Sequence, residues 1–393
     1  MIEWKQCIIA DLGDVVTGKT PSTKNAEFWD GDVHFVTPKD IQGLKHITDT
    51  ERRITNEGLQ KVKGSALPPR AVCVSCIGNI GYTGMTTQKC VSNQQINSII
   101  VNSDNDPDFV YYLMRSLWPF FKNYEGQSTT LSILNKTQFS KIAVTVPDKA
   151  TQKRIVATLS ALDEKIAANT RINDNLQQQA YAYFLQLFIE NADSSWPVGT
   201  IADLGTVVGG GTPSKAKPEY YTDEGIAWIT PKDLSVDKSK FVTHGENDIS
   251  ELGYRNSSAT MMPAGTVLFS SRAPIGYIAI ASNEVTTNQG FKSVVPRPEI
   301  GTPFVYYFLI HNLPLIESKA SGSTFKEVSG SVMKSVEAVI PDGDTIAKFN
   351  DFCRPVFEMQ EKLESENRKL ATIRDSLLPR LMSGEIDVSN IDI

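Results

Sequence analysis

The sequence predicts an α+β protein in which two tandem, mostly-β domains alternate with two long helices. The helices are expected to pair as an antiparallel coiled coil, giving the chain a pseudo-two-fold internal repeat. Three observations predict this: a unit of about 190 residues written twice, short β-branched runs broken by Gly, Pro, Asn and Asp, and two apolar stripes at coiled-coil spacing.

The repeat is read directly. Trp4 is followed by IADLGDVVTGKTPS (Ile9 to Ser22), and Trp196 by IADLGTVVGGGTPS (Ile201 to Ser214). FVTPKDI (Phe35 to Ile41) answers WITPKDL (Trp228 to Leu234), and LPPRAVCVSCIGNIGY (Leu67 to Tyr82) answers MPAGTVLFSSRAPIGY (Met262 to Tyr277). Asn93-Gln94 answers Asn288-Gln289, FVYYL (Phe109 to Leu113) answers FVYYF (Phe304 to Phe308), and Val146-Pro147-Asp148 answers Ile340-Pro341-Asp342. The expected segments are a first domain over 1–148, a helix over 149–190, a second domain over 191–342, and a second helix with its tail over 343–393.

Within each domain, runs such as AVCVSCI, INSIIV, TVLFSS and FKSVV read as strands, and FVYYLMRS and FVYYFLIHN as short helices. Asp148 is a candidate N-cap for the first long helix. Its seam carries Ile155, Leu159, Leu162, Ile166, Leu176, Ala180, Tyr183 and Leu187, interrupted by Asn169 and Asn173. In the second helix Val356, Leu363, Leu370 and Leu377 recur every seven residues, with Asn367 between them. A helix of about 38 residues spans roughly 55 Å, so the pair reads as a rod with a domain at each end.

A duplicated chain supplies its own control, because chemistry essential to the unit is expected in both copies. GDVVTGKT (Gly13 to Thr20) matches the phosphate-loop pattern G-x-x-x-x-G-K-[ST], but the second copy has Gly211 in place of Lys19. Pro21 also turns Thr20 away from helical angles where a phosphate loop needs a helix to begin. Nucleotide binding is therefore not expected. Cys73-Val-Ser-Cys76 has metal-ligand spacing, yet its counterparts are Leu268 and Ser271 and no second Cys or His pair follows. None of the four histidines has a histidine twin, and G-x-S-x-G and H-E-x-x-H are absent. No catalytic residue, metal or cofactor is predicted.

The five scattered cysteines suit a reducing compartment, and the start of the chain lacks the features of a signal peptide, so the expected location is the cytoplasm without membrane partners. The net charge is −6, spread as +1, 0, −4 and −3 over residues 1–150, 151–190, 191–342 and 343–393. Phosphate attraction supplies most non-specific DNA affinity, so this chain alone would bind DNA weakly and would need partners that bring positive charge.

G-x-T-P-S, T-P-K-D, LFSSRAPIGY, T-N-Q and the ending RDSLLPRLMSGEI (Arg374 to Ile386), in this order and with this repetition, resemble the specificity subunit of type I restriction-modification enzymes. The resemblance covers nearly the whole chain. It implies two target-recognition domains, each reading one half of a bipartite site in double-stranded DNA. It also implies helical spacers that set the gap and dock methyltransferase subunits, with a restriction or translocase subunit as a further partner, and no catalysis in this chain. No N-P-P-[YF] or D-P-P-[YF] motif for base methylation is present, which agrees.

The residues suited to DNA follow from their chemistry. Thr20, Ser22, Thr212 and Ser214 can donate to phosphate oxygens, with Lys24, Lys215 and Lys217 nearby. Lys39 and Lys232 contact phosphate or pair locally with Asp40 and Asp233. Arg272, after Ser271, can grip guanine O6 and N7 or a phosphate; the first copy has Ile77 there, and Asn79 is the candidate substitute. Asn93, Gln94, Asn288 and Gln289 can pair with adenine edges or cap a turn. Ser128, Thr129, Ser323, Thr324 and Lys326 lie in polar loops before each final strand. The copies diverge most over HITDTERRITNEGLQKVKG and SVDKSKFVTHGENDISELGYRNSSAT, which predicts an asymmetric site. The competing reading is a two-headed scaffold that binds something other than DNA.

Overall fold

The computed structural model of the chain describes residues 3–43, 45–126, 132–322 and 326–389. It divides into two compact units, Met1–Lys165 with Lys369–Ile393, and Ile166–Arg368. Each unit holds one head, the opening turns of one long helix and the closing turns of the other.

In the first unit a five-stranded sheet runs Gly13–Thr17, Ile96–Val101, Val72–Ser75, Thr83–Thr86, His46–Ile47. In the second, the order is Gly205–Gly209, Lys292–Pro296, Val267–Ser271, Ile275–Ala281, Phe241–Val242. Neighbours are antiparallel except the last strand of each, which joins in parallel. The central strands Val72–Ser75 and Val267–Ser271 are buried along their whole length. A pair of terminal strands closes each head: Trp4–Ile8 lies on Ala143–Pro147, and Val198–Thr200 on Glu337–Val339. A second layer differs. The first unit has a four-stranded sheet there, Arg52–Ile54, Trp29–Val36, Cys90–Ser92, Ala66–Leu67; the second has two short pairs, Tyr221–Thr222 with Asp248–Ile249 and Trp228–Ile229 with Thr286–Thr287.

The two expected short helices are Pro107–Ser116 and Thr302–His311. Asp106 caps the first by accepting from the amides of Asp108 and Phe109. Phe109, Tyr112, Phe304 and Tyr307 are almost completely excluded from solvent, so each contributes about 1.5–3 kcal/mol of apolar burial.

The long helices are Lys149–Leu185, continued by a π-helical turn over Gln186–Glu190, and Gly343–Met382. Asp148 and Asp342 cap them identically: each accepts from a threonine amide three residues on and from the same threonine's hydroxyl, at Thr151 and Thr345. The antiparallel direction is visible inside each unit. In the second, Asn169 meets Asn367, Asn173 meets Glu364, and the Tyr183 ring lies 4.7 Å from that of Phe352. In the first, Asp163 meets Arg374, and Ile155 and Leu159 share a core with Leu378 and Leu381.

The heptad reading of the helices is too narrow. Of the expected seam residues, Ile155, Leu159, Ala180 and Leu363 are buried, while Leu162, Ile166, Leu176, Tyr183, Leu187, Val356, Leu370 and Leu377 are half-buried. Phe184, Phe188, Phe349, Cys353 and Phe357, outside that seam, are buried as well and pack beneath the second head with Phe304 and Tyr307. A helix that touches both a partner helix and a sheet domain needs a wider apolar face than a two-position seam.

Candidate nucleic-acid interface

The loop G-x-T-P-S leaves the edge strand of each five-stranded sheet and runs beside the turn that carries N-Q. Gly18 and Gly210 have no room for a side chain, since a Cβ would stand 2.0 Å from the carbonyl oxygens of Asn93 and Asn288. The close approach lets the loop and the turn lock together. Thr20 Oγ1 donates to Gln94 Oε1 at 2.6 Å, and the Thr212 hydroxyl donates to Gln289 Oε1. Asn93 Oδ1 accepts from Gln95 N at 3.0 Å and Asn288 Oδ1 from Gly290 N at 2.8 Å, so both asparagines close turns on their own backbone. Gln94 and Gln289 are exposed, with no partner for the amide nitrogen among the described residues.

T-P-K-D is a local lock. Thr37 N and Oγ1 both meet Asp40 Oδ2 at 2.7 Å, and Thr230 N and Oγ1 meet Asp233 Oδ2 at the same distance. The other carboxylate oxygen ties down the neighbouring loop through Glu51 N and Glu246 N, each at 2.9 Å. With the aspartates so committed, Lys39 and Lys232 pair elsewhere: Lys39 with Glu51 at 3.5 Å and Lys232 with Glu246 at 2.5 Å. The expected pairing with Asp40 and Asp233 is corrected accordingly.

The third motif is held by a serine strut common to both heads. Ser75 Oγ donates to Asn79 O and accepts from Tyr82 N; Ser270 Oγ donates to Pro274 O and accepts from Tyr277 N. Asn79 is thereby exposed on its loop. Ser271 is fully buried, its hydroxyl donated to Gly290 O, so it supports the loop and is withdrawn as a surface contact. Arg272 follows, with Nη1 3.5 Å from Glu327 Oε2, and Lys292 Nζ lies 3.4 Å from Glu327 Oε1.

In the second head these segments converge on one cleft of about 650 Å³, lined among others by Thr212, Lys215, Lys232, Arg272, Asn288 and Gln289. Five stretches far apart in sequence meet there. Ser214 is exposed on the same loop; Lys217 lies instead on Tyr220, 3.0 Å from its hydroxyl. In the first head Ser22 and Lys24 are exposed on the equivalent loop. Lys326 is exposed beside Glu327, and Ser128, Thr129, Ser323 and Thr324 lie outside the described residues.

Sequence reasoning missed Glu246, which lines the cleft and pairs with Lys232; Glu327 and Lys292, which pair beside Arg272; and Trp228, whose Nε1 donates to Gly211 O and anchors the loop. The repeated T-P-K-D and T-N-Q were the available signals, since Trp228 stands two residues before the first and Lys292 three residues after the second.

Gly13–Thr17 is a strand, and no helix begins at Thr20, so the phosphate-loop pattern forms no phosphate cradle. Cys73 and Cys76 are buried, and desolvation pushes their thiols up to about 11 and about 12, which keeps them protonated at neutral pH. Among the described residues no group of three or more His, Cys, Asp or Glu is placed to hold a metal ion, and no helix is long and apolar enough to cross a membrane.

A duplicated α+β head on antiparallel helices, with a polar cleft built from repeated loops, defines a two-headed recognition protein. Comparison with known proteins identifies the class: the type I restriction modification DNA specificity domain matches residues 1–178 and again 193–351, and the chain belongs to that family. It is 35% identical over 192 residues to the type I restriction enzyme MjaIX specificity subunit of Methanocaldococcus jannaschii, covering 48% of this chain and 44% of that one. To the HindI specificity subunit of Haemophilus influenzae it is 25% identical over 358 residues, 71% of this chain and 77% of that one. The fold is shared with the S subunit of a type I restriction-modification system from M. genitalium, at a TM-score of 0.59 and 16% identity, over 97% of this chain and 96% of that one.

Proposed function

We propose that this chain is the specificity subunit of a type I restriction-modification enzyme: a cytoplasmic, non-catalytic protein whose two domains each read one half of an asymmetric two-part DNA site. The helices set the gap between the halves and dock methyltransferase subunits, and a restriction or translocase subunit joins that assembly. One observation carries the reading. Both heads keep the same glycine, threonine and aspartate locks, yet the side chains held above them differ, as with Arg272 in one head and Ile77 in the other. A constant scaffold with a variable surface is what reading two different half-sites requires.

Electrostatics favour an assembly. Lys39 and Lys232 already have carboxylate partners, and Arg272 and Lys292 share one, so these four cations face a duplex partly neutralised. Non-specific attraction must come from the partner subunits. The test is the methylation pattern of cells carrying the methyltransferase subunit with and without this chain. One asymmetric two-part motif should lose methylation when the chain is removed, and exchanging residues 191–342 for those of a relative should rewrite one half only. An unchanged pattern while the methyltransferase is expressed would refute the proposal.

A further inference from the structure

We infer that Arg272 with Glu327 in the second head, and Ile77 with Ile133 in the first, are the same base-reading position, set for guanine in one half-site and for a thymine methyl in the other. The inference rests on the DNA-reading role proposed above. The equivalence is fixed by the backbone: Leu134 N donates to Cys76 O at 2.8 Å, and Val328 N donates to Ser271 O at 3.0 Å. One residue along each segment, Ile77 and Ile133 form an antiparallel bridge, while Arg272 stands beside Glu327 at 3.5 Å. Both members of the pair therefore change character together between the heads.

A third position follows them. Lys292, which holds the second oxygen of Glu327, corresponds to Asn97, whose side chain is buried on Leu134 O and Thr17 Oγ1. A head without the carboxylate has no use for the lysine. In the second head the guanidinium can present two donors to guanine O6 and N7, the strongest discriminating contact of the major groove. Glu327 is a positioning residue: it orients Arg272 and offers a competing acceptor, so a ligand with fewer acceptors gains less by displacing it. In the first head Ile133 is 51% exposed, an apolar surface with the chemistry to cover a thymine C5-methyl.

The test uses the full chain assembled with its methyltransferase subunit, scored by methylation motif and by duplex binding across a salt series. Arg272→Ile with Glu327→Ile should abolish one G·C requirement in the half read by the second head, admit T there, and leave the other half unchanged. Glu327→Gln, a near-isosteric change that keeps the loop, should tighten binding to unrelated duplex by about 2- to 5-fold and steepen the salt dependence by about one unit, while relaxing that position only. Glu327→Asp should restore discrimination. An unaltered motif in both the double variant and Glu327→Gln would overturn the inference and leave the DNA-reading role standing, as would both halves relaxing together. If the wild-type assembly itself modifies no two-part motif, the role and the inference fall together.

Discussion

The two junctions between head and helix are built on the same lysine and solved in opposite ways. In the first unit Lys45 stands 3.0 Å from Asp108, which also takes Arg70 at 2.7 Å, and the Lys45 ammonium lies over the ring of Tyr112. In the second, Lys240 lies over Phe357 and Tyr306, but Pro303 replaces Asp108 and Gly265 replaces Arg70. Arg70 and Gly265 share the left-handed conformation, at φ 65° and φ 82°. The turn persists while its charge does not. Among the described residues the Lys240 ammonium hydrogen-bonds to neutral groups, Gln360 Oε1 at 2.9 Å, Gln177 Oε1 at 3.0 Å and the Tyr307 hydroxyl at 3.5 Å, while the Glu364 carboxylate, held by the amides of Lys240 and Phe241, acts on it without a direct ion pair. The helix contact is inverted as well. Counting from the paired caps Asp148 and Asp342, the half-buried ion pair Asp163 and Arg374 of the first unit becomes Phe357 and Ala180 in the second. One fold therefore tolerates an ionic junction and an aromatic one, provided all members change together.

The largest effect is expected where that condition is broken. Arg374→Leu leaves the half-buried Asp163 with the Tyr112 hydroxyl, at 2.5 Å, as its close partner among the described residues, and should cost the first unit about 1–3 kcal/mol in denaturant unfolding. The paired change Asp163→Phe with Arg374→Ala, which copies the second unit, should recover most of that loss, because a buried ion pair replaced by packed apolar groups is often neutral. A double variant as unstable as the single one would show that the two junctions are not interchangeable.

Next comes the lysine itself. Burial pulls the Lys240 ammonium down to about 6, against about 10.4 in an unfolded chain. Between those values the unfolded chain holds a proton that the folded chain lacks, so stability rises as pH climbs from about 6 to about 10 and is lowest below 6. Lys240→Met should flatten that rise and lift the Tm of the second unit by several degrees near pH 6, with the gain fading toward pH 10. Lys45→Met should instead lower stability by about 2 kcal/mol at pH 7, since it strips a partner from Asp108. Calorimetry from pH 6 to 9.5 separates the two; a matching response from both lysines would erase the contrast.

The parts legible in the sequence were those that the duplication itself aligned. Gly18 with Gly210, and Thr20 with Gln94 against Thr212 with Gln289, recur because backbone contact in each head forbids drift. The short helices were visible from FVYY, whose aromatic run is buried in both units. Illegible were pairings that join distant segments without a local pattern. Lys240 reaches Gln360 across 120 residues, and Phe184 and Phe349 meet only because the helix also covers a head. T-P-K-D misled for a related reason: its aspartate is spent on a threonine three residues back, so its lysine seeks a glutamate from the next loop.

The smallest effect tests whether the lock and the reading surface are separable. Lys39 and Lys232 are largely exposed, and so are Glu51 and Glu246, so Lys39→Ala and Lys232→Ala should each leave stability nearly unchanged. On DNA each should weaken binding to all sequences alike and reduce the salt dependence by about one unit, because a lysine that leaves its glutamate for a phosphate carries no base information. Asp233→Asn changes the lock and not the cation, and should disturb the second half-site alone, since Asp233 holds both Thr230 and the loop at Glu246. If Lys232→Ala also altered the motif, the lysine would belong to the reading surface, and the division between a constant scaffold and a variable face would have to be redrawn around it.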